Sequence, residues 1–238
     1  MSDRKPQVLD LLDRAFADLQ TFIGTLSEAD RAAVGTREHW AIKDAISHNS
    51  MWQQRAIERM TAILRDEEPP NTDEYLAIND AHFELYRERS WADTVAEAER
   101  TYRALVDLTR SLSEMDLTDP VRFAKANGRP LLRHIVSNGF EHPEMHLAQL
   151  YVERGEVEHA TQLQEEATAR LEELPEERGT ARYNLACYYA LAGQKAKALI
   201  ELKTALTVNP GLMEWSKQDT DLNSLRDDPA YQALYQSA

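Results

Sequence analysis

Residues 130–155 read PLLRHIVSNGFEHPEMHLAQLYVERG and decide how the rest of the chain is understood. The stretch reads as one long helix. Asn127-Gly128 just before it is a turn signal, and Pro130 suits a first helical turn, where its missing N–H costs nothing. His142 and His146 are four apart, so on a helix they stand one above the other on the same face. Two stacked imidazoles can share a metal ion. Pro143 lies between them, removes a backbone donor, and predicts a kink that moves His142 relative to His146.

Working outward, 238 residues suit one large domain or two small ones with a real core. Gly and Pro number only 8 and 9, while Ala, Leu, Glu and Arg are abundant, which favours helix. A formal charge of −14 argues against a nucleic-acid-binding surface, because such surfaces are basic. The single cysteine, Cys187, permits no intramolecular disulfide and fits a cytosolic compartment. Acids interrupt the apolar run at the N-terminus, unlike a signal peptide. No apolar run reaches the ~18 residues of a membrane span. The expectation is a soluble, cytoplasmic, all-helical protein.

The first helix runs from about Pro6 to Thr25, with Val8, Leu11, Leu12, Phe16, Leu19 and Phe22 as its stripe. The second starts near Ala41 and stops before Pro69-Pro70. Asp44, His48 and Trp52 form a ladder along it at intervals of four. The third starts near Thr72 or Asp73, with Tyr75, Ile78, His82, Phe83 and Tyr86 on its apolar side. Ser90-Trp91-Ala92-Asp93 looks like a helix cap, so a second start lies there, and the segment runs on to Leu112. With the 130–155 helix, four long segments predict an up-and-down four-helix bundle over residues 1–153.

Beyond it the sequence repeats. Leu147-Ala148, Tyr151, Gly155, Ala160 and Ala167 match Leu185-Ala186, Tyr189, Gly193, Ala198 and Ala205, each pair 38 apart. With Leu202 and Pro210 this resembles the tetratricopeptide repeat, whose usual period is ~34. Arg182 falls where a large apolar residue is expected, a departure from that pattern. Residues 154–238 are therefore expected to form a short tetratricopeptide-like helical hairpin cap, sealed by Leu222, Leu225, Tyr231 and Leu234.

Among the seven histidines, His48, His142 and His146 are the candidate metal ligands, because facing helices of a bundle point side chains inward. Three neutral imidazoles with an open position suit catalytic Zn²⁺, and Ni²⁺ and Fe²⁺ also accept imidazole. From spacing alone the alternative stays open that the pair is merely two polar surface residues. His82 is either a base or fourth ligand, or a hydrogen-bonded core residue. Asp44 either orients His48 or is an acid at a helix start. Trp52 and Met51 are core or pocket wall, His134 is assigned to the surface, and Cys187 to packing.

WAIKDAISHNSMW at residues 40–52 and IVSNGFEHPEMHLAQ at 135–149 carry a family resemblance. Together they resemble the second- and fourth-helix signatures of the DinB-like four-helix bundles, including the ClbS/DfsB branch, over about residues 5–153. The resemblance implies a divalent metal on His48, His142 and His146 that activates a low-molecular-weight thiol, for transfer or isomerisation of a small-molecule substrate. Leu147-Ala148 stands where Arg-Gly is frequent in the family. The leading expectation is a metal-dependent transferase or hydrolase. One alternative is an interaction protein using the cap to hold a peptide or protein partner. Another is a metal-free, ClbS-like protector with a pocket of His82, Tyr86 and Trp52. A homodimer is also compatible; a nucleic acid or membrane partner is not expected.

Overall fold

Apolar residues at three- and four-residue spacing dictate the elements, and capping residues set their ends. The computed structural model describes residues 3–236, and no strand occurs among them. The chain divides into two compact units, the first ending at Arg154 and the second beginning at Gly155.

In the first unit, α1 (Arg4–Gly24) buries Val8, Leu11, Leu12, Ala15 and Phe22. A Ser27–Asp30 capping box starts the short α2 (Glu28–Ala32). At the head of α3 (Ile42–Leu64), Asp44 Oδ2 accepts from the Ala41 N–H at 2.9 Å. The helix stops where Asp66 turns to φ 59°, ahead of Pro69-Pro70. α4 (Tyr75–Tyr86) turns most of its expected side inward: Phe83 is buried and Ile78, His82 and Tyr86 are half-buried, while Tyr75 is exposed. Ser90 caps α5 (Trp91–Ser111) by accepting from Asp93 N–H, as its sequence predicts. After it comes the short α6 (Glu114–Thr118), opened by a second capping box at Ser113 and Asp116. The 130–155 stretch forms α7 (Leu131–Val136), one π turn (Ser137–Glu141) and α8 (His142–Glu153) in succession.

α1, α3, α5 and the α7–α8 segment pack against one another as a helical bundle. Phe22, Met60, Ile63, Leu105, Leu131, Leu132, Ile135 and Phe140 are among its fully buried side chains. Each contributes about 1.5–3 kcal/mol of burial against the entropy of ordering the chain.

The π turn answers the problem Pro143 poses. Proline has no N–H to give the carbonyl of Gly139, so a regular α-helix would lose that bond. Instead the His142 N–H reaches back five residues to Ser137 O, and α8 restarts with Pro143 near its first position, where no donor is needed. One residue inserted into the spiral turns everything after it by about 100°. Gly139 makes the turn packable: a Cβ there would lie 2.2 Å from Leu12 Cδ2 and 2.8 Å from Leu105 Cδ2.

In the second unit, α9 (Val157–Leu171), α10 (Thr180–Leu191) and α11 (Lys195–Val208) are followed by α12 (Met213–Ser216) and α13 (Pro229–Leu234). α10 and α11 pair closely, and Ala186, Ala198 and Ala205 are fully buried at their crossing. Gly193, at φ 73°, makes the turn between them. Leu222, Leu225 and Tyr231 close this core, with Leu234 packed beside them. Cys187 is buried there, its Sγ 3.8 Å from Asp219 Oδ2, and burial pushes its thiol pKa up. Among the described residues no helix is long and apolar enough to cross a membrane.

Candidate metal centre

Two helices of the first unit supply three imidazoles. His48 stands on α3, two turns in, and is 5% exposed. His142 and His146 occupy α8, whose phase is set by the π turn before them. His48 Nε2 lies 3.2 Å from His142 Nε2, which lies 3.0 Å from His146 Nε2. All three ligand atoms fall within 4.8 Å of one another. Nitrogens held ~2.0–2.1 Å from one ion are about 3.3 Å apart in tetrahedral geometry and about 2.9 Å apart when cis in octahedral geometry. Two of the three separations match these values, so the donor set could hold a divalent ion. The kink expected from Pro143 does not separate the pair, because the π turn absorbs it upstream.

The electrostatics favour the same use. Burial, with each ring's neighbours adding to it, lowers the His48 pKa to about 2, while burial lowers that of His142 to about 3. Burial also lowers His146 to about 4, and a hydrogen bond with Gln149 opposes that shift. All three rings are therefore neutral at pH 7, the form that ligates a metal. His142 Nδ1 is buried without a hydrogen-bond partner among the described residues, so no acceptor there fixes its tautomer.

Aromatic rings wall the cluster. Trp40 lies 4.7 Å from His48 and 6.2 Å from His146, centroid to centroid. Trp52 is 6.3 Å from His48 on the same helix and donates its indole N–H to Asn79 Oδ1 at 3.0 Å. Trp40 is the site residue that spacing did not single out, although it begins the quoted second-helix signature.

Against His48 lies a narrow crevice between α3 and α4, lined by Trp40, Ser47, Asn79, His82, Phe83 and Tyr86 among others. His82 Nε2 is 2.9 Å from Ser47 Oγ, and Tyr86 packs on the imidazole at 4.4 Å. Arg89 in turn sits 4.0 Å from the centre of the Tyr86 ring. Burial lowers the His82 pKa. His82 lies outside the group of converging ligand atoms. Asp44 also borders the crevice, but its Oδ2 caps α3, which is the helix-start role. Lys43 Nζ ties the end of α4 to α3 by donating to the carbonyls of Arg87 and Arg89 at 2.8 and 2.9 Å.

His134 is not the surface residue expected. It is half-buried, and its Nε2 is buried with no partner among the described residues. Burial, then Arg59, Arg129 and Arg133, lowers its pKa to about 4. Glu144 is buried too, yet stands outside the group of converging ligand atoms.

The family model of the DinB superfamily matches residues 6–150, more than half of the chain. No curated protein and no solved structure gave a match.

Proposed function

The chain belongs to the DinB superfamily, and on that premise we propose that it is a metal-dependent enzyme acting on a small molecule. The observation that carries the reading is the convergence of three neutral Nε2 atoms from α3 and α8. His48, His142 and His146 would hold a divalent ion: Zn²⁺, Ni²⁺ or Fe²⁺. When bound, such an ion supplies the Lewis acidity that makes water or a thiol a nucleophile at neutral pH. The residues themselves do the rest. Trp40 and Trp52 shield the imidazoles from bulk water. The crevice beside His48 gives a small substrate apolar walls and a few polar groups, the usual composition of a ligand pocket.

The second-helix signature Trp40–Trp52 supports placing the chain in the ClbS/DfsB branch, and a low-molecular-weight thiol is the cofactor that the superfamily resemblance favours. Transfer or hydrolysis is the corresponding reaction class, in a cytoplasmic setting. The test is metal analysis of protein purified without a histidine tag, beside His146→Ala. The reading predicts near-stoichiometric metal in the first and loss in the second. Equal, negligible metal in both ends it.

A second role is proposed for the second unit, as a tetratricopeptide-like interaction module. It is favoured by the exposed Ile200, which borders an open groove with Leu199, Met213 and Leu234. Deletion of residues 176–238 tests it through loss of a co-purifying protein while metal binding persists.

A further inference from the structure

Hydroxyls inside helices usually turn back to the carbonyl one turn earlier. Ser50 does so to Ile46 O at 2.9 Å, Thr101 to Glu97 O at 3.1 Å and Thr109 to Leu105 O at 2.7 Å. Ser47, on the same helix as Ser50, does not. Its hydroxyl crosses to the next helix and meets His82 Nε2 at 2.9 Å. Both residues line the crevice between α3 and α4. The imidazole is held in place by the ring of Tyr86, and Tyr86 by Arg89, which pairs with Glu97. A hydroxyl within reach of a histidine whose ring is fixed by a third group is the arrangement of an activated nucleophile. Asn79 adds a donor. Its Oδ1 accepts from the Trp52 indole, so its amide N–H groups remain to bond an oxygen in the crevice it lines.

We propose that Ser47 and His82 form a nucleophile–base pair in this crevice, reactive toward small acyl and phosphoryl electrophiles. Ser47 Oγ forms the new bond to the electrophilic carbon or phosphorus. Its proton passes to His82 Nε2, and the leaving group departs with the electrons of the bond that breaks. For an acyl group, His82 first gives that proton to the departing group and is neutral again; water then attacks the ester, His82 takes a proton from that water and passes it to Ser47 Oγ as the acid is released. Asn79 Nδ2 is placed to donate to the oxygen that gains charge. The pair needs no ion on the histidine triad, so it goes beyond the metal-dependent reading and stands or falls separately from it.

The probe is diisopropyl fluorophosphate on the full chain, with the adduct located by peptide mass spectrometry, in the presence and absence of a chelator. Attack by Ser47 breaks the P–F bond and leaves one diisopropylphosphoryl group on the peptide that contains it. The pair predicts a single adduct at Ser47 in both conditions, none in Ser47→Ala, and at least a 100-fold slower reaction in His82→Gln. Gln keeps a side chain that can bond Ser47, and circular dichroism of His82→Gln verifies that α4 is retained. No adduct at Ser47 under conditions that modify a known serine hydrolase overturns the proposal. So does an adduct that forms at the wild-type rate in folded His82→Gln; the contact then only pins α4 to α3. Metal content, measured on the same samples, reports on the triad alone.

Discussion

Replacing Gly139 by Ala tests the packing that carries the ligand helix past Pro143. The added methyl would meet Leu12 Cδ2 at 2.2 Å and Leu105 Cδ2 at 2.8 Å, both too short to persist. Neither leucine can swing into solvent, since Leu12 is 1% and Leu105 0% exposed. Overpacking of this kind costs about 2–3 kcal/mol, from which Ala recovers at most about 1 kcal/mol of helix propensity. The net loss of about 1–2 kcal/mol lowers Tm by about 2–8 °C for a chain of this size. Gly24, at the end of α1, is the control, because a Cβ there meets nothing within 4 Å. Gly24→Ala is expected to leave Tm unchanged or raise it slightly. Differential scanning calorimetry on both variants gives the comparison. Relief of the clash would also shift Ser137–Glu141 and so His142, and zinc affinity is expected to fall with Tm. A Gly139→Ala protein as stable as wild type, or a Gly24→Ala protein equally destabilised, refutes the packing argument.

Other consequences follow from burial and hydrogen bonding. His134 has a folded pKa of about 4 against an ordinary value near 6.5, so the unfolded chain takes up its proton first. Its contribution is present above pH 6.5 and declines as pH falls toward 4, by about 1–2 kcal/mol after discounting for a half-exposed ring. Urea titrations at several pH values should show a shallower decline in His134→Gln; an identical slope rejects the assignment. Asp219 Oδ2 accepts from Tyr183 Oη at 2.7 Å and from the Trp215 indole at 3.1 Å. Asp219→Ala strands the buried Tyr183 hydroxyl, while the exposed Trp215 indole can turn to water, and should cost about 1–3 kcal/mol in chemical denaturation, with a loss below 0.5 kcal/mol counting against the hub. Cys187, buried and with a raised pKa, should resist a disulfide reagent at pH 8 and react promptly in urea. Prompt labelling of the native protein would contradict its burial.

The helices were legible because each carries its own code. The Val8–Phe22 stripe, Ser90 ahead of Asp93 and the prolines at 69 and 70 set starts, faces and stops locally. The metal candidates were legible in the same way, through four-residue spacing in one helix and the quoted signature in another. The role of Asp44 as a cap was one of two readings of its place beside Lys43. The π turn was hidden because it depends on Gly139 fitting between Leu12 and Leu105, residues 127 and 34 positions away in the chain. The Ser47–His82 contact was hidden for a related reason. Periodicity says which face of a helix is apolar, but not which side chain of the next helix it will meet. The partial burial of α4 shows the limit from the other side. Its aromatic stripe suggested a packed helix, yet polar ties from Lys43 and Trp52 hold it as much as Phe83 does.

The central claim is that His48, His142 and His146 jointly hold one divalent ion. Zinc K-edge X-ray absorption on the tag-free protein, loaded with one equivalent of zinc, addresses it most directly. The account predicts three imidazole nitrogens at ~2.0–2.1 Å, with the outer-ring scattering of histidine. His48→Ala should lower that number to two. A shell of oxygens without imidazole scattering, unchanged by His48→Ala, would contradict it.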